Sequence, residues 1–447
     1  MCGIIGTTLK GLDTSIQEKA IDLMKTRGPD NQGIFNDKNI FLGHTRLSIS
    51  DLDPSGNQPY SHSETPSYVL VYNGEIYNVK RIREELTNKG LKIRTNCDTE
   101  LLYLLLINFD INKVLSLING MFSFAFYDEE KKELIIARDQ CGIKPLYYNY
   151  DNQEVSFSSS FASLELILSS GLKNFSSDFS KEGISNYLNI GYSSDRITFN
   201  ESIQSLPPGK YAKYSFSTKE LNIFSWFNPS DDLFSRSKEL RSSFISDLDK
   251  ILSDVIYEQS TAAVSTGIFL SGGLDSALIS SYLSNNKSHI AYTIKYPNDP
   301  NGDEVNVAKN IAKMFGLEFK VVEFDLYNYS IEKCADKSLS ITKNPFSNLT
   351  LLASERLSEE AYYDDTKVIL VGDGGDELFC GYPRYKALVL ANYIKSFYKK
   401  LNPLFSAQLR KLYFQISSAS NMLVEDSKFN HFSRRLRMFL ESMPLKP

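Results

Sequence analysis

The chain has 447 residues, of which 42% are hydrophobic and 23% charged, a balance typical of a globular protein with more than one domain. Its net charge of -5 argues against a general binder of nucleic acid. The five dispersed cysteines contain no CxxC pair and no apolar run approaches about 20 residues, which argues against a disulfide framework, a zinc site and a membrane span. We therefore expect a cytoplasmic protein whose partners include neither nucleic acid nor membrane.

The chain opens with MCGIIG, in which Cys2 is the first candidate for a reactive residue. Taken alone, a cysteine is more often a small buried apolar residue than a nucleophile. Removal of Met1 would place a thiol and a free α-amine on one residue, so that a nucleophile and a base would be adjacent. This interpretation needs support from residues elsewhere in the chain.

The first 160 residues alternate strand patterns with helical patterns, separated by turns that contain glycine. Strands are predicted at 40–49, 67–73, 120–128 and 133–139, and helices at 15–26, 78–89 and 98–109. We predict an α+β domain with antiparallel pairing over residues 2–190. A connector is predicted over residues 191–237, where the sequence LPPG and a polar stretch occur.

Polar clusters lie at the predicted ends of these elements. They are RGPD at 27–30, HTRLS at 44–48, YNGEIYN at 72–78, CDTE at 97–100 and ARDQCGIKPLYY at 137–148. Each cluster alone is weak evidence, because Arg, Asn-Gly and Asp near turns are usually structural. Their order after MCGI is the informative feature.

Beyond the connector, continuous apolar strands alternate with helices, which indicates a parallel sheet covered on both faces. Helices are predicted at 239–259, from 275 and at 303–315, and strands at 267–270, 289–296, 319–324 and 367–372. We therefore predict a second domain, of the α/β class, over residues 238–447.

The sequence FLSGGLDS at 269–276 takes a buried strand through a glycine turn into a helix. Backbone N–H groups of such a turn and the start of the helix can bind a phosphate chain, with Asp275 on a metal ion and Ser276 on a phosphate oxygen. An ordinary strand-to-helix turn is the alternative. The lysine of a Walker A loop is lacking, so transfer of a γ-phosphoryl group is not indicated.

A second glycine-rich turn, VGDGGDELFCGYPRY at 371–385, also follows a predicted strand. Its carboxylates Asp373, Asp376 and Glu377 would repel one another unless a cation or a basic substrate neutralised them. Ligands of parallel sheets bind at this end of the strands. A magnesium ion shared by Asp275 and Asp376 is one interpretation, and a solvated acidic turn is the other.

Together, MCGI and the polar clusters resemble the class II glutamine amidotransferase domain, which has an N-terminal-nucleophile fold. With SGGLDS and GDGGDE, the chain is similar to the glutamine-hydrolysing asparagine synthetase family from residue 2 to about 385. The resemblance implies an αββα glutaminase domain followed by an α/β parallel-sheet domain like that of the adenine-nucleotide α-hydrolases.

The resemblance also implies the roles of the residues that carry out glutamine hydrolysis. Cys2 would be the nucleophile, its own α-amine the base, and Asn73 and the Gly74 N–H the oxyanion hole. This agrees with elementary chemistry, because an ordinary α-amine titrates near pH 8 and a tetrahedral intermediate needs positioned donors.

Three further residues would bind glutamine itself. Arg46 would bind its α-carboxylate, whereas Glu75 and Asp98 would bind its α-amino group. One cation and two anions are the complement that a zwitterionic substrate needs.

In the second domain, the resemblance implies that ATP activates the side-chain carboxylate of aspartate as β-aspartyl-AMP, which ammonia from Cys2 then attacks. Asp373 would take part in catalysis, and Mg²⁺ would bind at Asp275 and Asp376. The residues implied to bind ATP are Leu270, Ser271, Gly272, Gly273, Asp275, Ser276, Gly372 and Asp373.

The chain departs from the family pattern at Gln140, at Ser160 and in the sequence TKNPF at 342–346. Family members also continue further past GDGGDE, so we expect a synthetase domain that is incomplete at its C-terminus. These departures leave two alternatives open. One is a related amidotransferase acting on a sugar acid or another carboxylate, and the other is a glutaminase subunit or scaffold that needs a partner chain. A homodimer also remains open.

Overall fold

The computed structural model describes residues 1–172, 175–193, 196–229, 243–283, 289–298, 304–325, 330–342, 348, 350–382 and 385. The chain divides into two compact units, Met1–Val371 and Gly372–Pro447. Across the described ranges, no helix combines the length with the apolar content that a membrane span requires.

Two antiparallel sheets of six strands each dominate the first part of the chain. In spatial order, the first sheet contains β10 (Gln204–Ser205), β8 (Tyr147–Asp151), β9 (Glu154–Ser158), β1 (Gly3–Thr7), β3 (Phe41–Arg46) and β2 (Asn31–Asn36). The second contains β12 (Leu221–Ser225), β11 (Lys210–Ser215), β7 (Glu133–Arg138), β6 (Gly120–Asp128), β5 (Thr65–Ile76) and β4 (Tyr60–His62).

Strand β5 shows why the two sheets stack. Val69 and Val71 face the apolar layer between the sheets, whereas Leu70 and Tyr72 lie in the core on the opposite face. Successive side chains of a strand point to opposite faces. The apolar run of β5 is therefore buried on both sides.

Helices cover the outer faces of both sheets. The first sheet is covered by α1 (Thr14–Asp22) and α5 (Phe161–Gly171), and the second by α2 (Val79–Asn88), α3 (Asp98–Asn108) and α4 (Ile111–Leu117). A further helix, α6 (Lys181–Ile190), follows them. The layer order is helix, sheet, sheet, helix, and the predicted αββα class is confirmed.

Strands β10, β11 and β12 lie within residues 191–237, the predicted connector. They complete the edges of both sheets, and the indole N–H of Trp226 donates to the carbonyl of Arg138 at 3.1 Å. The segment thus contains regular structure. The domain boundaries themselves stay a prediction.

The second part of Met1–Val371 contains a parallel sheet. Its spatial order is β15 (Glu318–Glu323), β14 (Ile290–Lys295), β13 (Thr266–Phe269) and β16 (Val368–Leu370). The helices of this part are α7 (Phe244–Ser260), α8 (Leu274–Tyr282), α9 (Val305–Met314), α10 (Ile331–Thr342) and α11 (Thr350–Tyr363).

Apolar clusters cover both faces of the parallel sheet. Ile256 of α7 and Ala308 of α9 pack on one face, and Leu357 of α11 packs on the other. The predicted parallel sheet is therefore confirmed. The strand order reverses between β13 and β16, and such switch points are where parallel sheets bind ligands.

Candidate active site

The six residues that the family resemblance connects with glutamine line one cavity. Cys2 immediately precedes β1, Arg46 ends β3 and Asp98 begins α3. The cavity-lining members of this set are Cys2, Arg46, Asn73, Gly74, Glu75 and Asp98. The structure brings these six residues together, and the role of each one stays a prediction.

The thiol of Cys2 is held by the loop that follows β3. Its Sγ accepts the N–H of Leu47 at 3.4 Å, and the S–H points to the carbonyl of the same residue at 3.8 Å. From the other side, Arg27 donates its Nε–H to the carbonyl of Cys2 at 3.1 Å. Burial raises the pKa of the thiol. A base is therefore needed to generate the thiolate.

The α-amine of the chain lies in the same cavity as the thiol. Burial, with the cations Lys144 and Arg27 nearby, lowers its pKa from 8.0 to about 5. An amine with this pKa is unprotonated at neutral pH, but it is a much weaker base than the thiolate that it would have to generate. In the structure the amine belongs to Met1, and removal of that residue would give Cys2 an amine in the same cavity.

The RGPD segment shapes the loop that contacts the thiol. A side chain at Gly28 would lie within 2.5 Å of the Thr45 carbonyl, so only glycine permits this close packing. Asp30 then accepts the backbone N–H of Ser48 at 2.8 Å. These contacts fix the segment that presents the Leu47 N–H to Cys2.

The backbone N–H of Gly74 points away from β6. In β6, Gly74 is paired with Phe122, which forms its hydrogen bonds to Asp139 instead. The N–H of Asp139 donates to the Phe122 carbonyl at 2.9 Å, and the N–H of Phe122 donates to the Asp139 carboxylate at 3.2 Å. Hydrogen-bonded and non-bonded pairs alternate in antiparallel strands. Asn73 and Ser123 therefore form the bonded pair, and Gly74 faces the open edge of β5.

On this edge the neighbouring N–H groups are occupied. The N–H of Tyr72 donates to the side chain of Gln58 at 2.6 Å, and that of Ile76 donates to Asp98 at 3.1 Å. Between them, the N–H of Gly74 has no acceptor among the described residues. An unpaired N–H that lines a cavity can serve an incoming oxyanion.

The carboxyl groups of the buried Asp98 and the half-buried Glu75 face the same cavity. Asp98 accepts the hydroxyl of Tyr72 at 2.8 Å. Burial raises the pKa of Asp98, and burial together with the nearby Asp98 raises the pKa of Glu75 to about 8. Adjacent carboxyl groups that are costly to ionise are ready to receive a cationic group.

We expect glutamine binding at pH 7 to release about one proton, because the α-ammonium group will lower the raised pKa of Glu75 and ionise it. Titration calorimetry on a Cys2→Ala variant, in buffers of different ionisation enthalpy, measures this release. The Glu75→Gln variant should release almost none. Equal heats in all buffers for the parent variant would contradict the expectation.

The guanidinium of Arg46 organises the loop after β3. It donates to the carbonyls of Asp53 at 2.8 Å and Asp51 at 2.7 Å, and to the side chain of Asn57 at 2.7 Å. These bonds use three of the five N–H donors of a guanidinium, so two remain for a ligand. Binding of an α-carboxylate by Arg46 stays a prediction.

Lys144 is a cavity residue that sequence reasoning missed. It is 5% exposed and lines the same cavity as Cys2. Its backbone is fixed, because its N–H donates to Asp139 at 3.0 Å and its carbonyl accepts from Arg138 at 2.8 Å. Burial, reinforced by Arg27, lowers the pKa of its ammonium group. The sequence ARDQCGIKPLYY contained the signal, but only the fold brings this lysine to Cys2.

Lys144→Met should move the midpoint of Cys2 alkylation by iodoacetamide to higher pH. A nearby cation favours the thiolate, and its removal raises the thiol pKa further. Rates are measured against pH by mass spectrometry of the Cys2 peptide. Lys144→Arg should keep the original midpoint, as should Lys131→Met, which removes an exposed lysine. An unchanged midpoint in Lys144→Met would count against an electrostatic role.

The second part of Met1–Val371 completes this cavity. Gln259, Thr261 and Ala262, at the end of α7, line it together with Val368 at the start of β16. The N–H of Ala263 donates to the carbonyl of Ile49 at 3.1 Å. Lys367 also forms an ion pair with Asp30 at 3.3 Å. The cavity wall is thus shared by the antiparallel and parallel parts.

The SGGLDS turn follows β13 and leads into α8. Leu270 is buried in the core, and its N–H donates to the carbonyl of Tyr292 in β14 at 2.9 Å. The hydroxyls of Ser271 and Ser276 lie 3.2 Å apart.

The glycines of the SGGLDS turn form the start of α8. Gly272 has φ +79, and Gly273 is the N-cap of α8. Asp275, in the first turn of α8, is half-buried. The turn places backbone N–H groups at a helix N-terminus, where anions bind.

The GDGGDE turn belongs to the unit Gly372–Pro447. Gly374 has φ +97 and begins the short helix α12 (Gly375–Phe379), and Asp373 is exposed. The carboxylate of Asp376 lies against Gly381. Among the described residues, no cluster of three or more side chains could hold a metal ion. Residues 343–346 of TKNPF lie outside the described residues.

The family model for a glutamine amidotransferase domain matches residues 1–226, and the model for asparagine synthase matches residues 247–437. The fold and the two matches define a glutamine amidotransferase with a synthetase domain. The chain belongs to the asparagine synthetase family.

Three relatives illustrate the similarity. A Methanocaldococcus jannaschii protein, named as a putative glutamine-hydrolysing asparagine synthetase, is 30% identical over 90% of this chain and 78% of its own length. Asparagine synthetase 1 of Bacillus subtilis is 29% identical over 86% of this chain and 60% of its own length. Amidase chry2 of Gibberella zeae is 27% identical over 83% of this chain and 56% of its own length. The chain thus spans less than two thirds of the last two relatives.

Proposed function

We propose that this protein is a carbon–nitrogen ligase that makes asparagine from aspartate and ATP with glutamine as the nitrogen donor. The observation that carries the proposal is the cavity beside Cys2. It brings together the Cys2 thiol, the unpaired Gly74 N–H, the cation Arg46 and the carboxyl groups of Glu75 and Asp98, which are the groups that a glutamine molecule needs.

The first half-reaction needs only groups that line this cavity. The α-amine that Cys2 carries once Met1 is removed takes the thiol proton, and the Cys2 sulfur bonds to the carboxamide carbon of glutamine. The Gly74 N–H and the Asn73 amide stabilise the oxyanion. The carbon–nitrogen bond breaks as the amine returns the proton to the departing ammonia. Water then hydrolyses the thioester, releasing glutamate and restoring the thiol.

The second half-reaction belongs to the switch point of the parallel sheet. The SGGLDS turn would bind the ATP phosphates while the β-carboxylate of aspartate bonds to the α-phosphorus and pyrophosphate leaves. Ammonia then bonds to the acyl carbon, AMP leaves, and asparagine forms. Asp373 would act beside the acyl-adenylate.

Mg²⁺ fits the chemistry of the carboxylates in these two turns. It is commonly held by one or two carboxylates together with substrate phosphates, so a preformed cluster of protein ligands is not required. Asp275 and Asp376 would supply the carboxylates. The ion would neutralise phosphate charge when bound.

Purified protein with glutamine, ATP, Mg²⁺ and aspartate tests the proposal. We expect glutamate, AMP and asparagine in equal amounts. Asp275→Asn should suppress AMP and asparagine, whereas Ser281→Ala, which alters an exposed serine of the same helix, should not. Lack of glutamate formation in any mixture would overturn the glutaminase half.

A related amidotransferase acting on another carboxylate is the second candidate. It is favoured by the similarity to a relative named as an amidase. Replacing aspartate by glucuronate, galacturonate and other carboxylates separates the two candidates, since only the true acceptor yields AMP. Glutamate without AMP from any acceptor would instead favour a glutaminase subunit that needs a partner chain.

A further inference from the structure

Asn73 and Ser123 form a buried polar pair beside the candidate active site. They lie directly opposite each other in the β5–β6 register, and each is 0% exposed. By strand alternation they share the face that presents Val71 and Ala125 to the layer between the sheets. Ser123 is not among the residues that the family resemblance assigned to catalysis.

The amide of Asn73 is incompletely satisfied. Its Nδ2 lies 3.5 Å from the hydroxyl oxygen of Ser123, and its Oδ1 is buried without a partner among the described residues. A buried acceptor without a donor is costly. Rotation of the amide by 180° would exchange its two ends in nearly the same space.

Rotation of the amide would give the Asn73 amide oxygen a donor and the Ser123 hydroxyl an acceptor. The Ser123 hydroxyl, which has no other acceptor among the described residues, would donate to the amide oxygen. The amide NH₂ would then be left for an acceptor that arrives in the cavity, which Asn73 lines. The carbonyl oxygen of a glutamine carboxamide is such an acceptor.

We propose that Ser123 is a positioning residue for glutamine hydrolysis, because its hydroxyl binds the Asn73 amide oxygen and turns the amide NH₂ towards the oxyanion. This inference rests on the proposed glutaminase function. Ser123 does not touch the substrate. Its effect passes through Asn73 and is greatest in the transition state, where the oxyanion carries most charge.

Steady-state kinetics on the full chain test the inference. Ser123→Ala should lower kcat for glutamine hydrolysis about tenfold and leave KM within about twofold. Asn73→Ala should lower kcat by about 10² to 10³. The double variant should be no slower than Asn73→Ala, because residues that act as one unit are not additive. Ser163 is also buried, and its hydroxyl has no hydrogen-bond partner among the described residues, so Ser163→Ala should leave kcat unchanged.

A second readout separates positioning from loss of packing. The Cys2 thiol adds to the carbonyl carbon of glutamate γ-semialdehyde and forms a new S–C bond. The former carbonyl oxygen then carries the negative charge or the thiol proton, as the oxyanion does in the transition state. Ser123→Ala should weaken this inhibitor by the same factor as kcat, while inhibition by glutamate stays unchanged.

If the losses in kcat of the two single variants multiply in the double variant, or if Ser123→Ala leaves kcat unchanged, the inference about Ser123 is wrong. The proposed glutaminase function is not affected by either result. If the protein without substitutions does not hydrolyse glutamine, both the proposed glutaminase function and this inference are overturned.

Discussion

Replacing Cys2 by alanine should lower glutamine hydrolysis by on the order of 10⁴-fold, because the variant lacks the atom that bonds to the carboxamide carbon. Glutamate production at saturating glutamine measures the effect. With ammonia supplied in place of glutamine, AMP release from ATP and the acceptor should stay within about twofold. We expect this difference because, in the proposed mechanism, the thiol serves only the first half-reaction.

A matched control is available for Cys2→Ala. Cys141 is exposed and does not line the cavity, so Cys141→Ala should retain full glutaminase activity. Cys97 is buried in the cavity wall, and its Sγ lies 3.3 Å from the Thr99 hydroxyl and 3.7 Å from the Asp98 carboxylate. Cys97→Ala should therefore weaken glutamine binding more than it slows turnover. If Cys2→Ala retained the hydrolysis rate, the nucleophile would have to be another group.

Gly74→Ala should lower kcat for glutamine hydrolysis by about 10² to 10³, the usual effect of losing one oxyanion donor. A Cβ at this position would lie 2.4 Å from the Met121 carbonyl and 2.9 Å from the Phe122 Cα. Backbone atoms cannot move aside as a flexible side chain can. Strand β5 must therefore shift and take the free N–H out of place.

The control for this variant must cost stability without touching the cavity. Gly43→Ala in β3 meets this need, because the three atoms nearest to its Cβ would be side-chain carbons of Ile5 and Ile21, at 2.9 to 3.0 Å. Both variants should unfold at lower temperature, and only Gly74→Ala should lose turnover. Equal losses of turnover would indicate general destabilisation rather than a missing donor.

Sequence alone predicted much of this architecture because its signals are local. The apolar run of β5 and the glycine turn after β13 each fix an element within a few neighbouring residues. The candidate nucleophile Cys2 was reached through the order of the polar clusters. These features depend little on residues far away in the chain.

Other features depend on tertiary contacts and could not be predicted. Lys144 and Cys2 lie far apart in the chain, and only the fold places both in one cavity. The free N–H of Gly74 follows from the bonds that Phe122 makes to Asp139 on the opposite side of β6. Strand β11 (Lys210–Ser215) lay in a predicted connector, since its pairing with β7 joins residues about 80 positions apart.

In the proposed mechanism, the wall shared through Val368 would link the two half-reactions. Val368 is the first residue of β16 and also lines the glutamine cavity. A shift of this strand changes the shape of that cavity directly, without an intervening element. A fragment ending at residue 226 would keep every residue predicted to bind glutamine and still lack one side of its binding cavity.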